Sequence, residues 1–232
     1  GLGLGGYFVE AGNGRFIVSA MLIGAAAIGA FLSTFLPEAP PPGREPVDWN
    51  IPKIAYRYVN EAAKVPGVLW PILANGYFWM IGAMVLANMP IFMRDHLGGT
   101  GQDYSLLNAV FALGAGIGSI IAGILASRLK EPKVMSAIAL LIGGLMLVIV
   151  YVLTRVPLEG PFDFFGAQGL PLIILFVMAS AANGVFSIPM LASYQANAPK
   201  KISARIMGVA NMTNGLLATI GAILASLFRQ IG

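Results

Sequence analysis

The sequence has no cysteine and a single histidine, His96, among 232 residues. Disulfide staples and thiolate metal sites are excluded, and a histidine-based metal cluster has too little to be built from. Charge is scarce too: 10 % of the residues are charged, against about a quarter in a soluble domain. So few charges cannot cover a soluble globule that is 57 % hydrophobic. This argues against a soluble enzyme, a disordered chain and a nucleic-acid-binding domain. There is no Walker-type phosphate loop, no His-Glu pair of metalloprotease spacing and no Ser-His-Asp set. No enzyme active site, cofactor or metal is expected in this segment. Two textual motifs fail on context. Gly1-x-Gly3-x-x-Gly6 lacks the strand and βαβ unit that a dinucleotide fingerprint needs. Asn211-Met212-Thr213 spells a glycosylation sequon inside an apolar run.

What the sequence does have is long apolar runs. Six are long enough to cross a bilayer at about 20 residues per span. They cover residues 16–36, 68–93, 105–126, 134–154, 169–194 and 206–228. Barrel strands would be about 10 residues of alternating polarity; these runs are longer and do not alternate. The expected fold class is all-α, a polytopic transmembrane helix bundle. Residues 1–9 read as the tail of a helix that begins upstream, so the chain reads as an excerpt of a longer protein.

The cations have a pattern. Of 14 Lys and Arg residues, ten lie in the connections after the first, third and fifth runs. The other four are Arg15, Arg94, Arg155 and Arg229. Cytoplasmic loops carry the excess of Lys and Arg, so loops 37–67, 128–133 and 197–205 are expected in the cytoplasm. The net charge of +4 then reports topology rather than an acidic or nucleic-acid partner.

Connection 37–67 opens with Pro37-Glu38-Ala39-Pro40-Pro41-Pro42, a stiff extended stretch. Residues 51–65 then show helical spacing, with Ile51, Ile54, Ala55, Tyr58 and Ala62 on one face. Lys53, Arg57, Asn60, Glu61 and Lys64 fill the other face. The spacing predicts an amphipathic helix at the cytoplasmic interface. It serves either as a linker between bundles or as a partner-binding element.

The run from Gly123 through Ala126-Ser127-Arg128-Leu129-Lys130-Glu131-Pro132 to Lys133 places three cations in a tight turn after small residues. It resembles the loop signature of the major facilitator superfamily, with Ser127 where that family usually has Asp. The resemblance implies a gating loop made of Gly123, Ser127, Arg128, Lys130 and Lys133. It also implies a register, in which the six runs are helices six to eleven of a twelve-helix transporter. Residues 1–36 would end the N-terminal six-helix half, 37–67 would be the inter-half loop, and 68–232 would belong to the C-terminal half.

A narrower resemblance lies in three patches. Asn75-Gly76-Tyr77-Phe78-Trp79 with Pro90–Gly99 looks like the seventh helix and following loop of bacterial lysophospholipid transporters. Leu107–Ser119 is similar to their eighth helix. Ile188-Pro189-Met190 through Gln195, Ser203-Ala204-Arg205 and Asn211-Met212-Thr213-Asn214 resemble their tenth and eleventh. This implies a lysophospholipid substrate, such as lysophosphatidylethanolamine, moved across the bacterial inner membrane by alternating access. The implied partners are membrane lipid and the remaining helices of the same transporter. Two other readings stay open. One is a carrier of another small solute or drug. The other is a membrane anchor for a fused acyltransferase and acyl-carrier-protein ligase.

An amide in hydrocarbon needs a partner or a cavity. By helical spacing Asn75 and Trp79 share a face, as do Asn183 and Ser187, and Asn211 and Asn214. These six are the expected substrate-binding residues; the alternative is interhelical hydrogen bonding. Gly114-x-x-x-Gly118, Gly208, Gly215 and Gly221 predict close helix packing, with a dimer interface as the alternative. Pro90, Pro171 and Pro189 are expected to kink or start helices. His96 reads as a solvated loop residue beside Arg94 and Asp95.

Overall fold

Every one of the six apolar runs folds into a helix. The computed structural model describes residues 13–35, 49–126, 128, 132–153, 155 and 162–231. Its α-helices are α1 (Gly14–Ser33), α2 (Ile51–Ala63), α3 (Leu69–Ile91), α4 (Gly101–Ala126), α5 (Pro132–Leu153), α6 (Gly169–Asn197) and α7 (Ser203–Ile231). No strand occurs among the described residues, and all but α2 are long and apolar enough to cross a membrane. The all-α transmembrane bundle is confirmed.

Several helices overrun their apolar runs, for local reasons. α4 begins early because Thr100 and Asp103 cap it reciprocally. The Thr100 N–H donates to the Asp103 carboxylate at 2.7 Å, and the Asp103 N–H donates to Thr100 Oγ1 at 3.3 Å. α3 continues through Pro90, which withholds the donor that the Leu86 carbonyl would otherwise accept. The chain then widens into a π turn, Phe92–His96, where the Leu97 N–H donates to the Phe92 carbonyl at 3.3 Å. Pro171 sits in the first turn of α6, where its missing N–H has no intrahelical partner to lose.

Two seams of small residues hold the bundle. A Cβ on Gly118 of α4 would collide with the Ala181 carbonyl of α6, and one on Gly114 with Ser180 Oγ and the Val177 carbonyl. Residue numbers rise together across this seam, so α4 and α6 run parallel. In the second seam a Cβ on Gly76 of α3 would meet Thr213 and Leu217 of α7, and one on Gly221 the Met80 carbonyl. α3 and α7 are therefore parallel too. α3 and α6 are antiparallel: Phe78 lies near Phe186, with ring centroids 6.3 Å apart, and Phe92 near Phe176, at 6.2 Å. Exchanging α3 with α6 and α4 with α7 turns one seam into the other. That is the arrangement of an inverted repeat. α5 packs mainly on α6, antiparallel, with Ser136 Oγ donating to the Phe186 carbonyl at 3.4 Å. Gly114 and Gly118 are thus used within the chain. Gly208 and Gly215 have no atom within 4 Å of where a Cβ would stand, so they mark no seam among the described residues. None of the α1 span is buried.

These directions place the starts of α3, α5 and α7 at one end, together with the ends of α4 and α6. α2 docks there on α7. Ala62 is fully buried in a cluster with Val68, Ile72, Tyr194, Ile206 and Val209. Arg205 Nη1 lies 3.1 Å from a Glu61 carboxylate oxygen, and its guanidinium is 5.3 Å from the Tyr58 ring centroid. Lys53, Arg57, Lys64, Arg128, Lys200, Lys201 and Arg205 gather at this end, whereas Arg94, Arg155 and Arg229 lie at the other.

The docking contact gives an unequal pair of expected results. Ala62→Phe overpacks a closed site, costs about 1–3 kcal/mol and, by undocking α2, lets trypsin cut after Lys53 and Arg57, which are already on the surface. Glu61→Gln shifts stability by no more than about 1 kcal/mol, because the ion pair is about one-third exposed. Limited proteolysis and thermal unfolding in detergent measure both; wild-type trypsin resistance in Ala62→Phe would argue that α2 does not dock there.

Candidate functional site

The α3–α7 seam carries an amide pair, Asn75 buried and Asn214 half-buried. Asn75 is 5 % exposed, and its Nδ2 donates to Asn214 Oδ1 at 3.1 Å. Asn75 is six residues into α3, about 9 Å from its start at 1.5 Å per residue. Gly76 makes the approach possible, since Thr213 and Leu217 occupy the space its side chain would need. The Thr213 hydroxyl donates back to the Val209 carbonyl at 2.9 Å, so it does not compete for either amide.

The other expected binding residues stand apart from this pair. Trp79, one turn above Asn75, is 48 % exposed and rests edge-on against Phe78. Asn211 is exposed, one turn before Asn214. Asn183 lies on the α5 side of α6, its amide oxygen 3.9 Å from where a Gly143 Cβ would stand. Ser187 Oγ donates to the Gly184 carbonyl of its own helix at 3.3 Å. Helical spacing could not assign neighbours, because α6 touches α3, α4 and α5.

Of the expected gating residues, Gly123 is exposed on α4 with nothing within 4 Å of its would-be Cβ. Arg128 is exposed in the turn after α4, its N–H bonded to the Leu125 carbonyl at 3.0 Å. Lys133 lies in the first turn of α5. Ser127 and Lys130 fall outside the described residues. All three described positions lie at or toward the α2 end.

Three further buried polar side chains are satisfied by backbone. Ser105 donates to the Gly101 carbonyl, Asn108 to Tyr104 and Ser180 to Val177, at 2.9, 3.0 and 3.1 Å. They act as helix glue rather than as a site. Among the described residues no group of three His, Cys, Asp or Glu could hold a metal. The described carboxylates, Glu61, Asp95, Asp103 and Asp163, stand at helix ends or in loops, so none offers a mid-membrane relay.

Two features escaped sequence reasoning. One is the Glu61–Arg205 pair. The other is a cavity of about 360 Å³ between α3, α5 and α6, with Asn88, His96, Tyr151 and Arg155 in its wall. The four-residue spacing of Tyr151 and Arg155 was the available signal, but Arg155 registered only as a topological charge.

The parallel seams, the inverted repeat and the one-sided cations describe a multi-pass helical bundle. A family model, that of the Major Facilitator Superfamily, matches residues 1–222. The chain belongs to the major facilitator superfamily. Neither the comparison with curated proteins nor the comparison with solved structures returned a match. Membership makes this a multi-pass, transporter-like membrane protein. Inverted repeats are a building plan of carriers in the superfamily.

Proposed function

We propose that this chain is part of a lysophospholipid carrier of the bacterial inner membrane. One observation supports this reading above the rest. Two separate patches resembling lysophospholipid transporters, Asn75–Trp79 and Asn211–Asn214, meet through the Asn75–Asn214 hydrogen bond. An amide pair in a parallel seam can trade its mutual bond for bonds to a polar head. The nitrogen donates to phosphate oxygen, and the oxygen accepts from an ammonium. Asn183, Ser187, Asn211 and Trp79 then serve as further contacts along the route. The described carboxylates stand at span ends or in loops, which favours a route without a carboxylate proton relay. In this reading the α2 end is cytoplasmic, residues 37–67 join the two six-helix halves, and the turn from Gly123 to Lys133 gates that end.

The complete parent protein in liposomes, given labelled lysophosphatidylethanolamine, tests the proposal. Movement should depend on protein and fall about tenfold or more in Asn211→Ala/Asn214→Ala, because a hydrogen bond to a charged group is worth about 1.5–3 kcal/mol. Unchanged movement in the variant returns both residues to packing. No movement by folded protein points to another solute or to a membrane anchor for a fused acyltransferase and ligase.

A further inference from the structure

We infer that the cavity between α3, α5 and α6, at the end away from α2, is a second binding site, for a single-chain amphiphile with an anionic head. It goes beyond the carrier reading, since binding there does not depend on what the seam transports. At about 360 Å³ it falls within the range of small-molecule sites, about 300–1,000 Å³. Its wall is divided chemically. Met84, Met89, Leu147 and Phe176 make an apolar slot, while Asn88, His96, Tyr151 and Arg155 supply the polar groups. His96 and Arg155 follow the last turns of α3 and α5, so the polar groups are concentrated toward the surface end.

Local structure sets up that end. The π turn Phe92–His96 carries the cavity-lining face of α3 one turn past Ile91, so Phe92 and His96 join the wall. Arg155 is held against the wall by its own helix. Its Nη2 donates to the Tyr151 hydroxyl, and its guanidinium carbon is 4.8 Å from the Tyr151 ring centroid. No described carboxylate pairs with it; Asp95, the chain neighbour of the cavity-lining His96, is bonded to Arg94 at 2.7 Å. The guanidinium keeps further N–H donors in a fixed fork, suited to a carboxylate or phosphate. Asn88 Nδ2 donates to the Met84 carbonyl at 2.9 Å, leaving its oxygen as an acceptor for a head-group hydroxyl. An oriented cation that no described carboxylate pairs with, beside an apolar slot, complements an acyl chain ending in an anion. A second cavity, of about 770 Å³, is the contrast: Val134, Ile138, Met178 and Val185 are typical of its apolar wall, with nothing to fix a head group.

The full-length protein in nanodiscs can be tested with three diazirine-bearing probes: lysophosphatidylglycerol, palmitate and a neutral monoacylglycerol. Mass spectrometry maps the labelled peptides. Both anionic probes should label peptides 84–96 and 147–153, the neutral probe about tenfold less. Arg155→Ala should cut anionic labelling about tenfold, and Leu147→Trp should block it by filling the slot. Whichever unlabelled anionic lipid competes better names the source, a lysophospholipid or a free fatty acid. Equal labelling by the neutral probe, unchanged labelling in Arg155→Ala, or no labelling of these peptides overturns the proposal. Labelling is read at named peptides remote from Asn75 and Asn214, so failed lysophospholipid transport would leave this site standing.

Discussion

Gly118→Leu will separate α4 from α6, while Gly116→Ala, two residues away on the same helix, will leave the bundle intact. The difference lies in what each new side chain meets. At Gly118 a Cβ runs into the Ala181 main-chain carbonyl, with the Ala181 Cα close behind. A flexible side chain could rotate aside; a carbonyl in the middle of α6 cannot. Overpacking a core generally costs about 1–3 kcal/mol, and this case belongs at or above the top of that range. At Gly116 there is nothing within 4 Å, so alanine adds only helix propensity, up to about 1 kcal/mol of gain. Thermal unfolding followed by size-exclusion chromatography in detergent should show Gly118→Leu melting far earlier or aggregating, with Gly116→Ala at or above the parent. A wild-type melt for Gly118→Leu would mean that α4 and α6 do not meet at this seam.

The same contrast shows what could be read from the sequence. The spans were legible because an apolar run of 20 residues has few alternatives, and the cation bias located one end of the bundle. Helix limits were less so: Thr100 and Asp103 extend α4 through a reciprocal cap, and α3 absorbs Pro90 by loosening into a π turn. Glycine stripes were legible as packing faces but not as particular contacts. Gly118 and Gly215 look alike in sequence, yet one lies against a carbonyl and the other faces open space. The site residues follow the same logic. Residue type and depth marked Asn75 and Asn214, but their bond spans 139 positions and depends on α3 and α7 running parallel. Asn183 carried an equal signal and lies beside α5, because spacing fixes a face and only packing fixes the neighbour. The Arg155 cavity needed three helix ends to converge, which no single stretch of sequence encodes.

Asn75 and Asn214 allow stability and transport to be separated. Asn75→Leu, close in volume, leaves the Asn214 amide facing hydrocarbon. In a soluble core an orphaned buried amide costs about 1–3 kcal/mol. Between membrane helices such contacts average about 0.6 and reach about 1.7 kcal/mol, because the unfolded chain in lipid also finds partners. The smaller scale applies here, so each single leucine variant should lose about 1 kcal/mol. Asn75→Leu/Asn214→Leu should recover most of that loss, since neither partner is left orphaned. Transport should behave differently. If the amides receive the lipid head, the double variant melts like the parent and still moves labelled lysophosphatidylethanolamine about tenfold or more slowly. If they only hold α3 to α7, transport returns together with stability. A melt and a flux assay on the same three variants therefore decide whether this pair binds substrate or only joins helices.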